Sequence, residues 1–421
     1  MQYPFSRSTD PYVDLSSQDA FNEGAPFATF DRMRREDPMA WSEMSNGDKG
    51  FWNITRHADI LTLNKQTDLL SSARGIRMED QSPEEYEARK TFQETDPPLH
   101  RAFRSLVNNA FAKTTVAQYE DQIRAIVTDL LDNAFDHQEF CAVDVIARKL
   151  PMRMLAQIIG VPDKDANWLV EKGDALISNA DPDYTDFVID KVDTEAYRLL
   201  PFRSPAAVEL FDYANDLLER MDKGEQIGVL NLVLQPTRDG VQMTRDEFRN
   251  FFCLLVAAGN DTTRYSISAA IHTLANRPDL LAQIKAPDFT AWDAASDELI
   301  RWAAPTTHFR RTATRDFEFH GKQVREGDKV LLWFLSGNRD ETAIKDPYEL
   351  NLTRNPNQFL SFGQGGPHIC LGMWLAKLEV RIVLQEFARR VRAMGQTADH
   401  SYLRSNFIHG IKHLPVRISA Q

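Results

Sequence analysis

The sequence has only three cysteines, Cys141, Cys253 and Cys370, in 421 residues. They are too few and too widely spaced for a disulfide framework or a zinc site, and this usage favours a reducing cytoplasm. Uncharged apolar runs of about 18 residues, the length that crosses a bilayer, are also missing, so no membrane anchor is predicted. Residues 1–10 are polar and lack the pattern of a secretory signal.

Positive charge is also in short supply. The chain has 49 Lys and Arg against 61 Asp and Glu, a formal net charge of −12. Nucleic-acid binding needs cations that neutralise phosphates, so no nucleic-acid partner is expected. The proportions of hydrophobic (43%) and charged (26%) residues are typical of a globular enzyme with a sizeable core. No repeat, low-complexity tract or Gly/Ser/Pro-rich linker divides the chain, and we expect residues 1–421 to form one domain.

The periodicity of apolar residues predicts a mainly α-helical protein with a smaller β-rich portion. Residues 100–300 contain few helix breakers, and residues 116–135 place their apolar side chains at helical spacing. Strand-like segments occur at residues 51–55, Phe317–Phe319 and residues 330–334, next to turn signals.

The best-defined helix is predicted to begin after Thr244, which starts a capping box with the glutamate three residues later. The helical pattern continues to Asn276, and Pro278 is expected to end it. Residues 251–258 are apolar all round, so the middle of this helix should be buried. Burial makes the polar residues 260–263 costly unless each has a partner or a function.

The sharpest signal is a glycine-rich loop that leads to a cysteine, FGQGGPHICLG at residues 362–372. Glycines before Cys370 permit a tight loop that can approach a ligand closely. The start of a helix favours a thiolate through its dipole and free N–H groups, and such a thiolate suits haem iron. An amphipathic helix does follow, with apolar residues Leu371, Trp374, Leu375, Leu378, Ile382 and Phe387.

This loop resembles the haem-binding loop of the cytochrome P450 family, Phe-Gly-x-Gly-x-His-x-Cys-x-Gly. One extra residue before the histidine makes it similar to bacterial relatives that act on sterol side chains, methyl-branched lipids and linear terpenoids. The resemblance implies the P450 fold, with haem b between the long central helix and the loop, and a thiolate axial ligand. The alternative is a structural cysteine on a glycine loop. The matching residues are Phe362, Gly363, Gly365, His368, Cys370 and Gly372.

By the same resemblance, Glu298 and Arg301 match the family's Glu-x-x-Arg pair and Arg354 completes a structural brace behind the haem. Residues three apart share one helix face, so the first two can form a salt bridge. An exposed ion pair and an exposed loop arginine are the alternatives.

The family's oxygen-activation segment is similar to residues 258–263 on the long helix, Ala258, Gly259, Asn260, Asp261, Thr262 and Thr263. Small residues here would let haem and dioxygen approach the backbone. The resemblance implies that the Thr262 hydroxyl contacts bound dioxygen and that Asp261 relays protons, as an acid beside an alcohol can. The alternative is a helix kink, with the threonine hydroxyl bonded to the preceding turn.

Haem propionates need cationic or donor partners, and the resemblance assigns His100, Arg104, Arg311 and His368 to them. His100 and Arg104 lie four residues apart, so one helix face can present both. Arg310 is the alternative to Arg311, because an error of one residue in the match to the family would exchange the two. Surface salt bridges are the alternative for each.

Family resemblance places the substrate beneath residues 74–92, 169–202 and 304–309, against the long helix. The pocket is expected to be mostly apolar with few fixed polar groups. Ordinary core packing is the alternative for each wall residue. The predicted wall residues are Val256, Asn260, Thr306, Thr307 and Phe407, with Ile76, Met78, Ile177, Phe187 and Ile408 as further candidates.

The resemblance implies a monooxygenase that uses dioxygen and two electrons to hydroxylate a terpenoid, steroid or branched lipid. No cysteine cluster can hold an iron–sulfur centre, so the electrons are expected from an external ferredoxin and its reductase. We expect a small acidic ferredoxin to bind a locally basic helix, although a solvated helix face is the alternative. A peroxide-driven enzyme and a non-catalytic haem sensor remain as other functions. The basic residues of that helix are Lys377, Arg381, Arg389 and Arg390.

Overall fold

The predicted capping box begins the longest helix of the fold. In the computed structural model, which describes residues 12–421, the Thr244 hydroxyl accepts a hydrogen bond from the Glu247 N–H at 3.2 Å. The Glu247 carboxylate accepts one in return from the Thr244 N–H at 2.8 Å. The helix runs from Arg245 to Asn276 and is about 48 Å long. The prediction for residues 1–10 lies outside the described residues.

Helices form the larger part of the regular structure, as predicted, and the long helix α11 lies among them. It contacts α7, α8, α9, α13 and α15. The helices are α1 (Phe27–Glu36), α2 (His57–Asn64), α3 (Pro83–Arg89), α4 (Leu99–Val107), α5 (Lys113–Val116), α6 (Glu120–Phe135), α7 (Lys149–Ile159), α8 (Ala166–Ile177), α9 (Ala206–Asp222), α10 (Leu230–Val233), α11 (Arg245–Asn276), α12 (Pro278–Lys285), α13 (Trp292–Ala303), α14 (Phe334–Gly337) and α15 (Met373–Arg390).

The smaller β portion forms one five-stranded sheet, one three-stranded sheet and two hairpins. In the larger sheet the order is β1-β2-β8-β5-β3, with only the β2–β8 pair parallel, and in the smaller sheet it is β4-β12-β9. The strands are β1 (Trp41–Ser42), β2 (Phe51–Ile54), β3 (Leu70–Ser71), β4 (Phe140–Cys141), β5 (Phe309–Ala313), β6 (Phe317–Phe319), β7 (Lys322–Val324), β8 (Lys329–Leu332), β9 (Val391–Gln396), β10 (Ser401–Tyr402), β11 (Ile411–His413) and β12 (Pro415–Ala420).

Several element boundaries differ from the prediction for local reasons. The helix expected over residues 116–135 begins at Glu120, because a short helix and a 3₁₀ turn precede it. Pro278 ends one helix but also begins the next, at the first helical position, where its missing N–H costs nothing. Phe334 starts helix α14 instead of closing a strand. The short, uneven alternation after residue 390 did not indicate β9 to β12.

Two elements place the site residues next to each other. Helix α11 crosses the interior and packs on α15, the helix that follows the cysteine loop. Strand β5 is the second strand from one edge of the larger sheet, and most of its residues are buried. Between residues 12 and 421, no helix is both long enough and apolar enough to cross a membrane.

Candidate haem and substrate site

The cysteine loop is closed by backbone hydrogen bonds and packs tightly against helix α2. The Cys370 N–H donates to the Phe362 carbonyl at 2.9 Å, which draws the two ends of the loop together. Gly365 has φ +95°, a region that disfavours side chains, and a Cβ there would lie 2.8 Å from the Leu61 side chain. Gly365 therefore permits close packing of the loop on α2, and the close approach to a ligand stays a prediction.

The Cys370 sulfur faces an internal space. Its side chain is exposed, yet burial raises the pKa of its thiol, so the sulfur does not lie on the outer surface. The Gly372 N–H and the Arg104 guanidinium oppose that rise, since both stabilise a thiolate. Burial also raises the pKa of Cys141 and Cys253; two backbone N–H groups oppose the rise at Cys141 and one arginine opposes it at Cys253.

Four cationic or donor side chains gather beside the loop. The His100 and His368 rings lie 4.0 Å apart between centroids. Burial, together with the charges of Arg104 and Arg311, lowers the pKa of His100 to about 4 and that of His368 to about 2. Both ring nitrogens of His100 and Nδ1 of His368 are buried with no hydrogen-bond partner among residues 12–421. The cluster therefore offers unused donors and positive charge, which suits a pair of carboxylates.

Arg311, and not Arg310, belongs to this cluster. Neighbouring residues on a strand point to opposite faces. Arg310 forms an ion pair with Asp80 at 3.1 Å, whereas Arg311 donates to the Asn64 side chain at 3.0 Å and has no ion pair among the residues described. Burial lowers the pKa of Arg311 to about 10, with only partial compensation from Asp96.

Asn64 and Ser72 join this cluster to the loop and were not predicted. The Asn64 amide donates to the Gly363 and Gln364 carbonyls, both at 3.1 Å, while its oxygen accepts from the cluster arginine. The Ser72 hydroxyl lies 3.3 Å from His368 Nε2. Neither residue belongs to a motif; only the burial of a polar residue at the end of α2 could have indicated Asn64.

The oxygen-activation segment presents Ala258 and Thr262 to a cavity. Ala258 is exposed and Thr262 is half-buried, in a helix that is otherwise largely buried at this level. The prediction that residues 251–258 are buried all round is therefore wrong at Ala258. The Thr262 hydroxyl donates to the Ala258 carbonyl at 3.1 Å, the bond expected of a helix kink. Gly259 faces helix α7, where a Cβ would lie 2.6 Å from Leu155, so helix packing explains that glycine.

Asp261 lies on another side of α11, in a buried network that the sequence did not indicate. Its carboxylate is 3.0 Å from Arg264 Nη2 and accepts bonds from Ser178 and Asn260 at the same distance. Asp174 pairs with the same arginine at 2.6 Å. Burial raises the pKa of Asp261, the arginine opposes the rise, and the Asp174 charge adds to it. No bond joins Asp261 to the threonine hydroxyl within the described part of the chain.

A cavity of about 480 Å³ reaches from α11 to the region of residues 74–94. Thr306 and Phe407, two of the predicted substrate residues, lie in its wall, as do the candidates Ile76, Ile177 and Ile408. Charged side chains also line it, so an apolar lining holds for only part of the wall.

The cavity wall differs from the prediction at several positions. Val256 and Asn260 face helix α8, where they lie 3.3 and 3.7 Å from a Cβ placed on Gly173. The wall takes α11 residues four apart, at 250, 254, 258 and 262, which is one helix face. Thr307 is buried and donates to the Asn406 carbonyl at 2.5 Å. Met78, which is buried, and Phe187, which is exposed, also lie outside the wall.

The structure brings the three brace residues together. Glu298 and Arg301 are fully buried and form a bidentate pair, with N–O distances of 2.7 and 2.8 Å. Arg354 Nε lies 3.0 Å from the same carboxylate, and the Asn357 amide donates to it at 3.1 Å. Arg301 also donates to the Pro347 carbonyl at 2.8 Å. The carboxylate therefore fixes the chain segment that leads into the cysteine loop.

The predicted basic surface of α15 is neutralised, contrary to expectation. Each of its four cations forms an ion pair with an acidic residue of α15 itself, α6 or α13, and most of these acids lie far away in sequence. The pairs are Lys377–Asp297 (2.8 Å), Arg381 with Glu120 (2.8 Å) and Asp293 (3.2 Å), Arg389–Glu386 and Arg390–Asp132.

Known proteins resemble this chain over nearly its whole length. A family model described as Cytochrome P450 matches residues 288–398. A methyl-branched lipid omega-hydroxylase of Mycobacterium tuberculosis is 32% identical, over 96% of this chain and 94% of that protein. Linalool 8-monooxygenase of Pseudomonas putida is 30% identical, over 96% and 98%.

Solved structures show the same likeness in three dimensions. A Mycobacterium marinum cytochrome P450 in complex with pseudoionone matches with a TM-score of 0.86 at 32% identity, over 97% of this chain and 100% of that chain. The P450 OxyD, involved in the biosynthesis of vancomycin-type antibiotics, matches with a TM-score of 0.84 at 26% identity, over 97% and 100%.

Proposed function

The chain belongs to the cytochrome P450 family and is a monooxygenase, and on that premise we propose that it hydroxylates an apolar terpenoid, steroid or branched lipid. The observation that carries the proposal is the cavity, whose inner wall is the exposed face of α11 at Ala258 and Thr262. Relatives named for methyl-branched lipid, steroid and linalool oxidation support the substrate class.

Haem with a cysteine thiolate on iron is the cofactor of this family, and it supplies the activation of dioxygen when it is bound. We assign the thiolate to Cys370, whose sulfur faces an internal space beside Arg104. His100, Arg104, Arg311 and His368 would hold the two propionates. The buried, unpartnered ring nitrogens of the two histidines support this assignment, because propionate oxygens would accept from them.

Asp261 and Thr262 are proposed to handle protons. The raised pKa of Asp261 leaves its carboxyl able to hold a proton closer to neutral pH than an ordinary aspartic acid. The Thr262 hydroxyl lies in the cavity wall and can donate a hydrogen bond there in place of its present bond to Ala258. Neighbouring residues on a helix point about 100° apart, so a water or a side-chain rotation must connect the two.

The electron donor is proposed to be an external ferredoxin with its reductase. Three cysteines, one of them assigned to iron, cannot form the four-cysteine site of a common iron–sulfur cluster. Because the cations of α15 are paired, we place the docking contact at Arg101 and Lys113, exposed residues on α4 and α5 with no ion pair among residues 12–421. Charge reversal at both should slow reduction by an acidic ferredoxin, mainly at low salt.

The proposal is tested by screening terpenoids, steroids and branched lipids for the low-spin to high-spin shift of the haem. Compounds that bind are then incubated with NADH, a ferredoxin and its reductase under ¹⁸O₂. Substrate-dependent NADH consumption with ¹⁸O in the product is the expected result. Turnover with hydrogen peroxide alone, and none with the electron-transfer proteins, would identify a peroxide-driven enzyme. Haem binding without any turnover would identify a sensor.

A further inference from the structure

One arginine in the cavity wall has hydrogen-bond donors that the protein does not use. The guanidinium of Arg77 lies over two aromatic rings, 5.2 Å from the centroid of Phe407 and 6.0 Å from that of Phe202. Stacking of this kind holds the planar group in place while leaving its N–H groups at the ring edges. The wall of the cavity includes all three residues.

The donors of Arg77 are poorly satisfied. Nη2 has a single long bond, to the Asn179 side chain at 3.5 Å. Nε is buried and lacks a hydrogen bond, although the Glu79 carboxylate lies 3.4 Å away. Nη1 donates no hydrogen bond to any residue that the structure describes. A guanidinium carries five N–H donors, so most of these remain for another partner.

The other two arginines of the wall differ from Arg77. Arg89 donates to the Gln81 side chain at 2.7 Å and to the Glu85 carbonyl at 3.2 Å. Arg203 donates to Glu195 at 3.0 Å. Arg203 also has a buried Nε with no hydrogen-bond partner among the described residues, but each of these two side chains has at least one hydrogen bond of 3.0 Å or shorter. Arg77 has only its bond of 3.5 Å and is the least well satisfied of the three.

The charge around Arg77 favours a neutral acceptor over an anion. Glu79 lies close enough to offset most of the guanidinium charge and would repel a second carboxylate. Glu94 also lines the cavity, and burial raises its pKa to about 7, so it carries partial negative charge at neutral pH. A ketone or hydroxyl oxygen accepts hydrogen bonds without adding charge.

We propose that Arg77 donates a hydrogen bond to a ketone or hydroxyl oxygen of the substrate. This inference rests on the proposed function and narrows its substrate class to apolar molecules that already carry a neutral oxygen group. Apolar wall residues such as Leu254, Ala258 and Phe407 receive the remainder of the molecule. The sequence indicated the segment 74–92 but not this residue.

The experiment compares four probes of equal chain length: decane, 2-decanone, 2-decanol and decanoate. Their dissociation constants are measured by the haem spin shift and by calorimetry, for wild-type holoenzyme, Arg77→Met and Arg74→Met. Arg74 is a matched control, because it is exposed, lies in the same segment and is not in the cavity wall. The ferrous–CO spectrum verifies that each variant retains its thiolate-bound haem.

Arg77→Met should weaken 2-decanone and 2-decanol about tenfold to a hundredfold, the value of a hydrogen bond to a charged group. Decane should change less than about twofold, a difference small on the scale of one buried methylene. Arg74→Met should leave all four constants unchanged. If Arg77→Met does not fold, the dissociation constants of the four probes for the wild type test the inference. In that case 2-decanone must bind at least as tightly as decane.

Three results would overturn the inference. Equal weakening of decane and 2-decanone would show that Arg77 only shapes the cavity. Tighter binding of decanoate than of 2-decanone would show that the site selects an anion. Failure of all four probes to bind would exclude this substrate class. Each of these three results leaves the proposed function intact if other apolar compounds are oxygenated. The absence of a thiolate CO spectrum in the wild type would instead refute the proposed function itself.

Discussion

Replacing Arg311 should release haem, whereas replacing its neighbour Arg310 should not. Burial lowers the pKa of Arg311 from 12.5 to about 10. One pKa unit corresponds to about 1.36 kcal/mol, so burial destabilises the charged form of the guanidinium by about 3 kcal/mol. An anion bound beside the side chain recovers that free energy. Arg311→Met should therefore increase the rate of haem loss by about a hundredfold.

The assay is haem transfer from each holoenzyme to an excess of apomyoglobin, followed at the Soret band. Arg310→Met is the control, because Arg310 is paired with Asp80 and lies on the opposite face of the strand. This variant should lose stability by about 1 kcal/mol, through its hydrogen bonds to Asp80 and the Glu79 carbonyl, and keep the wild-type rate of haem transfer. Equal rates for the two variants, or wild-type retention of haem in Arg311→Met, would show that Arg311 does not hold a propionate.

Three further outcomes are expected. Cys370→His should lose the red-shifted ferrous–CO Soret band that Cys253→Ser retains, and a band that survives in the histidine variant would contradict the ligand assignment. Thr262→Ala should accept electrons but release hydrogen peroxide, while Asp261→Asn should turn over slowly with most electrons still reaching product. Wild-type rate and coupling in both variants would show that the segment is only a helix kink and not a proton route. Glu298→Gln leaves the buried Arg301 and the half-buried Arg354 without their carboxylate and should lower the free energy of unfolding by about 3 kcal/mol, measured in urea. An unchanged urea midpoint would show that the brace does not stabilise the fold.

The sequence predicts best those features that depend on local chemistry. The capping box at Thr244 and the amphipathic helix after the cysteine depend on residues three or four apart; the first forms where expected, and the second begins at Met373, so that Cys370 and Leu371 precede it. The strands after residue 390 are less visible, because β9 pairs with a strand 20 to 29 residues later and only its first residue is buried. A solvated, short strand has no apolar run to indicate it.

The candidate site depends on three-dimensional contacts that the sequence does not specify. Periodicity shows that α11 is buried but not which neighbour each face meets, and so Val256 and Asn260 were placed in the wall instead of Leu254 and Ala258. The basic residues of α15 are visible in the sequence, but their acidic partners come from other helices. Arg77 shows no signal at all, since its unused donors appear only when its neighbours are known.

The two faces of α11 have separate evolutionary consequences. Leu254 and Ala258 meet the cavity, whereas Val256, Asn260 and Arg264 are fully enclosed by protein. Changes on the first face can alter which molecule fits without disturbing the fold, and changes on the second are constrained by close packing and a buried charge network. Within one helix, substrate preference can thus change at Leu254 and Ala258, while Thr262 is constrained by its proposed role with protons and the enclosed residues by packing. A single substitution at either position can therefore alter which molecule fits with little loss of stability.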